Sequence, residues 1–152
     1  MKKFLSFAAF IIIIFSSVNK VHSIEADIFI QSTVNRAAKT LGGGFTREER
    51  IENLKNIARE TVDIKGIGYC SLGSYKKGLS AEKLNAYEKV FSEYFLKSFS
   101  SRLAEYSNPE IEVNSKKKIN ENYTIVSSIL VATDTRPQVK IDWRVYTKYP
   151  DN

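Results

Sequence analysis

The sequence predicts an α+β fold in which N-terminal helices, including one long helix, pack on an antiparallel sheet. Two patterns support this prediction. Apolar residues recur at helical spacing as far as about residue 106, and from residue 110 they alternate in steps of two. The size agrees, because 152 residues that are 43% hydrophobic suffice for one domain with a core.

Four helical segments are predicted, each with a recognisable start. Thr46 and Glu49 form a capping box, Asp63 can cap the third segment, and Ser80 can cap the long fourth helix. The predicted helices cover residues 25–41, 46–60, 64–77 and 81–106. The third segment contains three glycines, which indicate either close approach by a neighbouring element or ligand, or a soft helix that can move.

Three strands are predicted in the C-terminal third, over residues 110–116, 123–133 and 137–148. Lys116–Asn122 is polar and predicts the turn between the first two strands. In the second strand both faces carry apolar residues, so both are expected to be partly covered. The third alternates cleanly, with Val139, Ile141, Trp143 and Val145 on one face.

The N-terminus has the pattern of an export signal. Lys2 and Lys3 precede an uncharged apolar run over 4–15, and a polar region leads to a predicted cleavage site before Ile24. The apolar run is shorter than the roughly 20 residues that span a bilayer. The alternative is an uncleaved N-terminal anchor. Without residues 1–23 the net charge falls from +6 to +3, which requires no nucleic-acid partner.

The inventory of reactive residues argues against catalysis. The one histidine, His22, lies in the predicted signal, and the one cysteine, Cys70, sits in an apolar stretch. Ser–His or Cys–His catalysis and His-ligated metal sites are then excluded, and no cofactor or metal is expected. Asp134 and Asp142 show no acid–base spacing. The Lys116–Lys118 run is read either as a solvated turn or as a patch for anionic lipid headgroups or an acidic partner.

Aromatic residues are abundant once the signal is set aside: five Phe, eight Tyr and one Trp. Many lie on the fourth helix and the third strand. They predict either an ordinary filled core or the lining of an apolar cavity, and periodicity does not distinguish the two. Such a cavity would suit an acyl chain, because burying 16 carbons yields on the order of 12 kcal/mol.

Four segments in order resemble the MlaC family of periplasmic phospholipid-binding proteins, also described as toluene-tolerance or ABC-transporter auxiliary components. They are LGSYKKGLSAE at 72–82, FSEYF at 91–95, SSRLAEYS at 100–107 and VKIDWRV at 139–145. Together with the export signal and the order of helices and strands, the resemblance covers residues 25 to about 149.

The resemblance implies a non-catalytic, monomeric shuttle in the periplasm that holds phospholipid acyl chains in a lipid-sized apolar cavity between helices and sheet. It implies exchange with an outer-membrane lipoprotein complex and an inner-membrane ABC transporter complex, and hence retrograde lipid transport that maintains outer-membrane lipid asymmetry. Headgroups would stay at the solvent-facing mouth, so weak headgroup specificity is expected. The resemblance further implies that the cavity wall is built from Tyr75, Phe91, Phe95, Phe99, Leu103, Ile129, Ile141 and Trp143.

The family usually continues into a further strand and a C-terminal helix, whereas this sequence stops at Asn152. Residues 24–152 are therefore expected to be a single MlaC-like lipid-binding domain that lacks those last elements. Two alternatives stay open at this point. One is an exported interaction module with a solid core, or a degraded gene remnant. The other is an enzyme on a related cone-shaped scaffold, against which the absence of histidine weighs heavily.

Overall fold

Helices occupy the first part of the chain and a three-stranded sheet the second in the computed structural model, which describes residues 25–106 and 109–146. The predicted export segment 1–23 and the last two residues of the predicted third strand lie outside these ranges. The elements are α1 (Ala26–Gly42), α2 (Arg47–Thr61), α3 (Ile64–Leu72), a 3-10 helix (Gly73–Gly78), α4 (Ala81–Leu103), β1 (Ile111–Asn120), β2 (Tyr123–Leu130) and β3 (Val139–Tyr146). The α+β prediction is confirmed.

The helix starts follow local sequence rules. The Thr46 hydroxyl accepts a hydrogen bond from the Glu49 N–H, and the Glu49 carboxylate accepts one from the Thr46 N–H, which is the predicted capping box. The carboxylate of Asp63 and the hydroxyl of Ser80 accept backbone N–H groups three residues on. The end of α4 was predicted too late, because the helix stops at Leu103 and Tyr106 closes a tighter turn onto its carbonyl.

The glycine-containing third segment divides into two elements. α3 ends where Gly73 adopts a φ of +55°, in the left-handed region that favours glycine, and a 3-10 helix follows. Within α3, a Cβ at Gly68 would lie 2.8 Å from a ring carbon of Phe91. The close approach of a neighbouring element, one of the predicted alternatives, is therefore what Gly68 permits: α3 lies directly against α4.

The sheet is antiparallel in the order β1-β2-β3. The predicted turn over Lys116–Asn122 is wrong, because the lysine run continues β1 and pairs with β2, and the hairpin turn is Glu121–Asn122. The polar composition has a physical reason: β1 pairs on one side only among the described strands, and lysines are common on such edges. β2 ends at Leu130, three residues before the predicted end.

The register decides which face of β2 meets the helices. Val126, Ser128 and Leu130 are buried, while Ile125 and Ile129 on the opposite face are half-buried, so both faces are partly covered as predicted. The pairs Ser128–Ile141 and Val126–Trp143 place Ile141 and Trp143 of β3 on the helix side.

A register shift in β1 places one lysine on the helix side. The pairing changes between Val113 and Ser115, so Lys116 lies opposite Val126. Its ammonium group binds the carboxylates of Glu25 and Asp27 at the start of α1, with a distance of 3.0 Å to Asp27. This contact ties the first helix to the sheet.

The core consists of three clusters of buried residues, one between the helices and the sheet and two among the helices. The first joins α1 to the sheet through Ile30, Val34 and Val126. The other two join the helices to one another around Leu54 and Ala58 of α2. α1 packs on β1 and β2, α2 packs on α1 and α4, and α3 packs on α4. Within the described ranges, no helix is both long and apolar enough to cross a bilayer.

Candidate functional site

An apolar cavity of about 180 Å³ lies between the helices and the sheet. Its wall comes from α1, α2, the end of α4, all three strands and the chain that joins α4 to β1. None of the lining residues is charged. They are Thr33, Val34, Ala37, Leu41, Leu54, Ile57, Ala58, Thr61, Val62, Phe99, Leu103, Tyr106, Pro109, Ile111, Leu130, Ile141 and Trp143.

The polar groups of three lining residues are hydrogen-bonded within the protein. The hydroxyls of Thr33 and Thr61 donate to the carbonyls of Phe29 and Ile57, at 2.9 and 2.7 Å. The Trp143 indole N–H donates to the Ser128 hydroxyl at 2.7 Å. These protons are therefore already used by protein acceptors, and the wall suits an apolar occupant.

Helical and strand periodicity bring the lining side chains together. On α1 the residues at 33, 34, 37 and 41 share one face, and on α4 Phe99 and Leu103 lie one turn apart. On β3, Ile141 and Trp143 point to the same face because they are two residues apart. Helical spacing and strand alternation each put these side chains on one face of their element. Folding then brings those faces together around the cavity.

Half of the residues predicted for the lipid site line this cavity: Phe99, Leu103, Ile141 and Trp143. Two others, Phe91 and Phe95, do not line it. They pack with Phe99 around the cluster of Ala58, Ile64 and Leu96.

Phe91 and Phe95 nevertheless connect to the cavity through an aromatic ladder on α4. The ladder consists of Tyr87, Phe91, Phe95 and Phe99, with successive ring centroids 5.6, 6.2 and 5.5 Å apart. All four rings are half-buried and stacked. Phe99 lines the cavity, so the ladder runs along α4 from Tyr87 to the cavity wall.

The remaining two predicted residues lie away from the cavity. Tyr75 is 81% exposed in the 3-10 helix, because the chain leaves the α3 axis at Gly73. Ile129 lies on the sheet face opposite Leu130, because successive strand side chains alternate.

Sequence reasoning missed the large contribution of α1 and α2 to the wall. Both helices showed an apolar stripe, but nothing distinguished a stripe that lines a cavity from one that fills a core. The small residues Ala37 and Ala58 are the available signal, since their short side chains leave space at the cavity wall.

The enclosed volume is smaller than the about 300 Å³ at which typical ligand pockets begin. The structure therefore encloses space for part of an acyl chain. That the cavity reaches the size of a lipid remains a prediction.

A positive charge lies beside one residue of the cavity wall. The Arg136 guanidinium lies over the ring of Tyr106, a lining residue, 4.3 Å from the ring centroid. It also contacts the Glu105 carboxylate at 3.4 Å. Tyr106 first, and then Glu105, raise the pKa of Arg136 above its ordinary value, so the charge is permanent.

The fold and this cavity define an α+β domain with an apolar chamber between its layers. The family model described as MlaC protein matches residues 31–152, and the chain belongs to this family. The family predicted from the four sequence segments is therefore confirmed.

Two individual proteins are similar to this chain. The intermembrane phospholipid transport system binding protein MlaC of Haemophilus influenzae is 32% identical over 69 residues, which make up 45% of this chain and 32% of that protein. The match thus spans about a third of the relative's length. A phospholipid-binding protein from Ralstonia solanacearum, solved in complex with a phospholipid, superposes with a TM-score of 0.64. That superposition covers 80% of this chain and 70% of the other at 14% identity, and it establishes the fold.

Proposed function

We propose that this protein holds the acyl tails of a phospholipid in the apolar cavity and carries the lipid, chemically unchanged, between two membranes. The observation that carries this proposal is the composition of the wall. It is uncharged, and the polar hydrogens of Thr33, Thr61 and Trp143 are donated to acceptors within the protein. Such a wall offers an apolar ligand burial worth about 0.8 kcal/mol per methylene. The family and the names of the two similar proteins support a phospholipid as the ligand.

The tails occupy more than the enclosed space, so loading widens the cavity. The natural extension is the aromatic ladder, whose half-buried rings at Phe91 and Phe95 continue from Phe99. A tail that leaves the cavity past Phe99 would cover these rings. The proposed tail site therefore keeps Phe91, Phe95, Phe99, Leu103, Ile141 and Trp143 and leaves out Tyr75 and Ile129.

The proposed step is carriage and not bond cleavage. No carboxylate, imidazole or thiol is among the described residues that line the cavity, so the wall holds no general acid–base pair. Family membership and the predicted export signal support a periplasmic location. The proposed partners are an outer-membrane lipoprotein complex and an inner-membrane ABC transporter complex, with retrograde transport that maintains outer-membrane lipid asymmetry.

The test is to express the full chain with its own N-terminus for export in a bacterial host. The protein is purified without detergent and analysed by native mass spectrometry and lipid extraction. We expect a folded monomer that carries stoichiometric phospholipid. Ala37→Phe places a ring in the cavity and should lose most of the bound lipid. Ala86→Phe, on an exposed position of α4, is the matched control and should keep it.

Circular dichroism and thermal unfolding must show that both variants fold. A folded wild-type protein without lipid would contradict the proposal. So would a folded Ala37→Phe variant that carries as much phospholipid as the wild type.

A further inference from the structure

The backbone of Arg136 is held in place by a turn between β2 and β3. The Thr133 N–H donates to the Arg136 carbonyl at 2.9 Å, and the Arg136 N–H donates to the Thr133 carbonyl at 3.3 Å. Pro137 follows and restricts the backbone further. The position from which the Arg136 side chain extends is therefore defined by the fold.

Arg136 does not itself line the apolar cavity, but its guanidinium contacts a residue of the cavity wall and is partly open to solvent. Its side chain is 36% exposed, and its guanidinium is 4.3 Å from the centroid of the Tyr106 ring. Tyr106 also lines the cavity, so one aromatic ring connects the cavity wall to a permanent positive charge. An apolar chamber with a cation at its edge is complementary to a molecule that has an apolar tail and an anionic group beside it.

The existing partner of Arg136 binds it weakly. The distance to the Glu105 carboxylate is 3.4 Å, longer than the about 2.7–2.9 Å of a strong charge-assisted hydrogen bond. Glu105 is 53% exposed, so water screens this pair. A guanidinium has five N–H donors in a planar fork that matches two oxygens of a phosphate group. The contact with the Tyr106 ring, 4.3 Å from the centroid, keeps this fork beside the cavity wall, where an oxyanion can reach it.

We infer that Arg136 binds the phosphate group of the phospholipid whose tails occupy the cavity, and that this phosphate displaces Glu105. The inference rests on the proposed function. The ligand chemistry is a phosphate oxyanion, which a lipid headgroup or free phosphate can supply, and the position beside the tail cavity favours the lipid. The headgroup alcohol lies beyond the phosphate in solvent, so the site selects for phosphate and accepts different alcohols.

The test compares two lipids with identical tails: a phospholipid and the diacylglycerol that lacks its phosphate. The full chain is delipidated, and both affinities are measured for the wild type and for Arg136→Gln. We expect Arg136→Gln to lower the affinity for the phospholipid about tenfold and to leave the affinity for diacylglycerol unchanged. The matched control is Arg36→Gln, which breaks a comparable exposed pair with Glu60 and should change neither affinity.

A second variant separates phosphate binding from a structural role. Glu105→Gln breaks the same ion pair but removes the competing carboxylate, so it should raise the affinity for the phospholipid. If the pair only tied the turn to the end of α4, Arg136→Gln and Glu105→Gln would weaken binding in the same direction and for both lipids. That result would overturn the inference.

Two further results distinguish a lipid phosphate site from a site for free phosphate and from a protein that binds no lipid. Inorganic phosphate in large excess should not displace the phospholipid. If phosphate alone binds in an Arg136-dependent manner while the preference for phospholipid over diacylglycerol does not depend on Arg136, the site binds a free anion and the lipid assignment is wrong. A wild-type protein that binds neither lipid would contradict the proposed function as well as this inference.

Discussion

At the scale of single residues, the contact between Gly68 and Phe91 shows how one missing side chain sets the distance between two helices. The glycine lets α3 approach α4 so closely that the Phe91 ring lies where a Cβ would be. Phe91 is stacked between Tyr87 and Phe95, so its ring has little room to move aside. Gly68 therefore supports the position of the whole aromatic ladder.

Gly68→Ala should destabilise the protein by about 1–3 kcal/mol, because the new methyl overlaps a ring that its neighbours hold. Equilibrium unfolding in urea measures this change. Gly44→Ala is the matched control, since a Cβ there meets nothing within 4 Å, and it should be neutral or slightly stabilising. Equal stability of the two variants would show that the ring gives way freely.

A second residue-scale prediction concerns Ser128, a buried residue on β2. Its hydroxyl accepts the Trp143 indole N–H, so Ser128→Ala leaves that donor without this acceptor. The expected loss is about 1–3 kcal/mol in the free energy of unfolding. Ser127→Ala is the control: it removes an exposed hydrogen bond to Asp142 on the opposite face, which water can replace, so it should cost less. A cost at Ser128 no larger than at Ser127 would contradict the role of this bond.

At the scale of elements, α3 is joined to α4 by polar contacts as well as by the packing of Gly68 against Phe91. The Glu88 carboxylate accepts hydrogen bonds from the Lys65 ammonium at 2.9 Å and from the Tyr69 hydroxyl at 3.1 Å. Lys65 lowers the pKa of Glu88, and Glu88 raises the pKa of Lys65. Both shifts favour the charged pair in the folded protein.

The lowered pKa of Glu88 predicts a loss of stability in acid. Because its folded pKa lies below its unfolded pKa, the contribution is complete above about pH 5 and disappears as the pH falls through the folded pKa. Glu88→Gln should therefore show a flatter decline in melting temperature on acidification than the wild type. Glu93→Gln, at an exposed position of the same helix, should follow the wild type. Parallel curves for the wild type and Glu88→Gln would refute the prediction.

At the scale of the whole molecule, the cavity lies where the helix layer and the sheet layer meet, so a ligand bound there would contact both. A ligand that binds only the folded protein stabilises it by RT ln(1 + [L]/Kd), about 2.7 kcal/mol at 100 times Kd. For a domain of this size we expect the melting temperature to rise by about 10 °C with a short-chain phospholipid at that concentration. The cavity-filled Ala37→Phe variant should show little shift, and an equal shift in both would place the lipid elsewhere.

The features that depend on neighbours in sequence were predictable. The caps at Thr46, Asp63 and Ser80 involve residues three positions apart, and all three were recognised. The lysine run at Lys116–Lys118 was misassigned as a turn, because a polar strand at a sheet edge has the composition of a loop. Gly73 was noted, but its positive φ, which carries Tyr75 away from the cavity, depends on how the chain is routed.

The sequence by itself determined the α+β class, the helix starts, the aromatic repeat of α4 and the family, because these follow from spacing along the chain. The tertiary structure alone decided which apolar stripes enclose a cavity and which fill a core. It also decided that Leu130, and not Ile129, lines the cavity and that Arg136 contacts the ring of Tyr106. The physical reason is that a cavity is the space between surfaces from distant parts of the chain. Its existence depends on how closely those surfaces approach, and no periodicity within one segment specifies that distance.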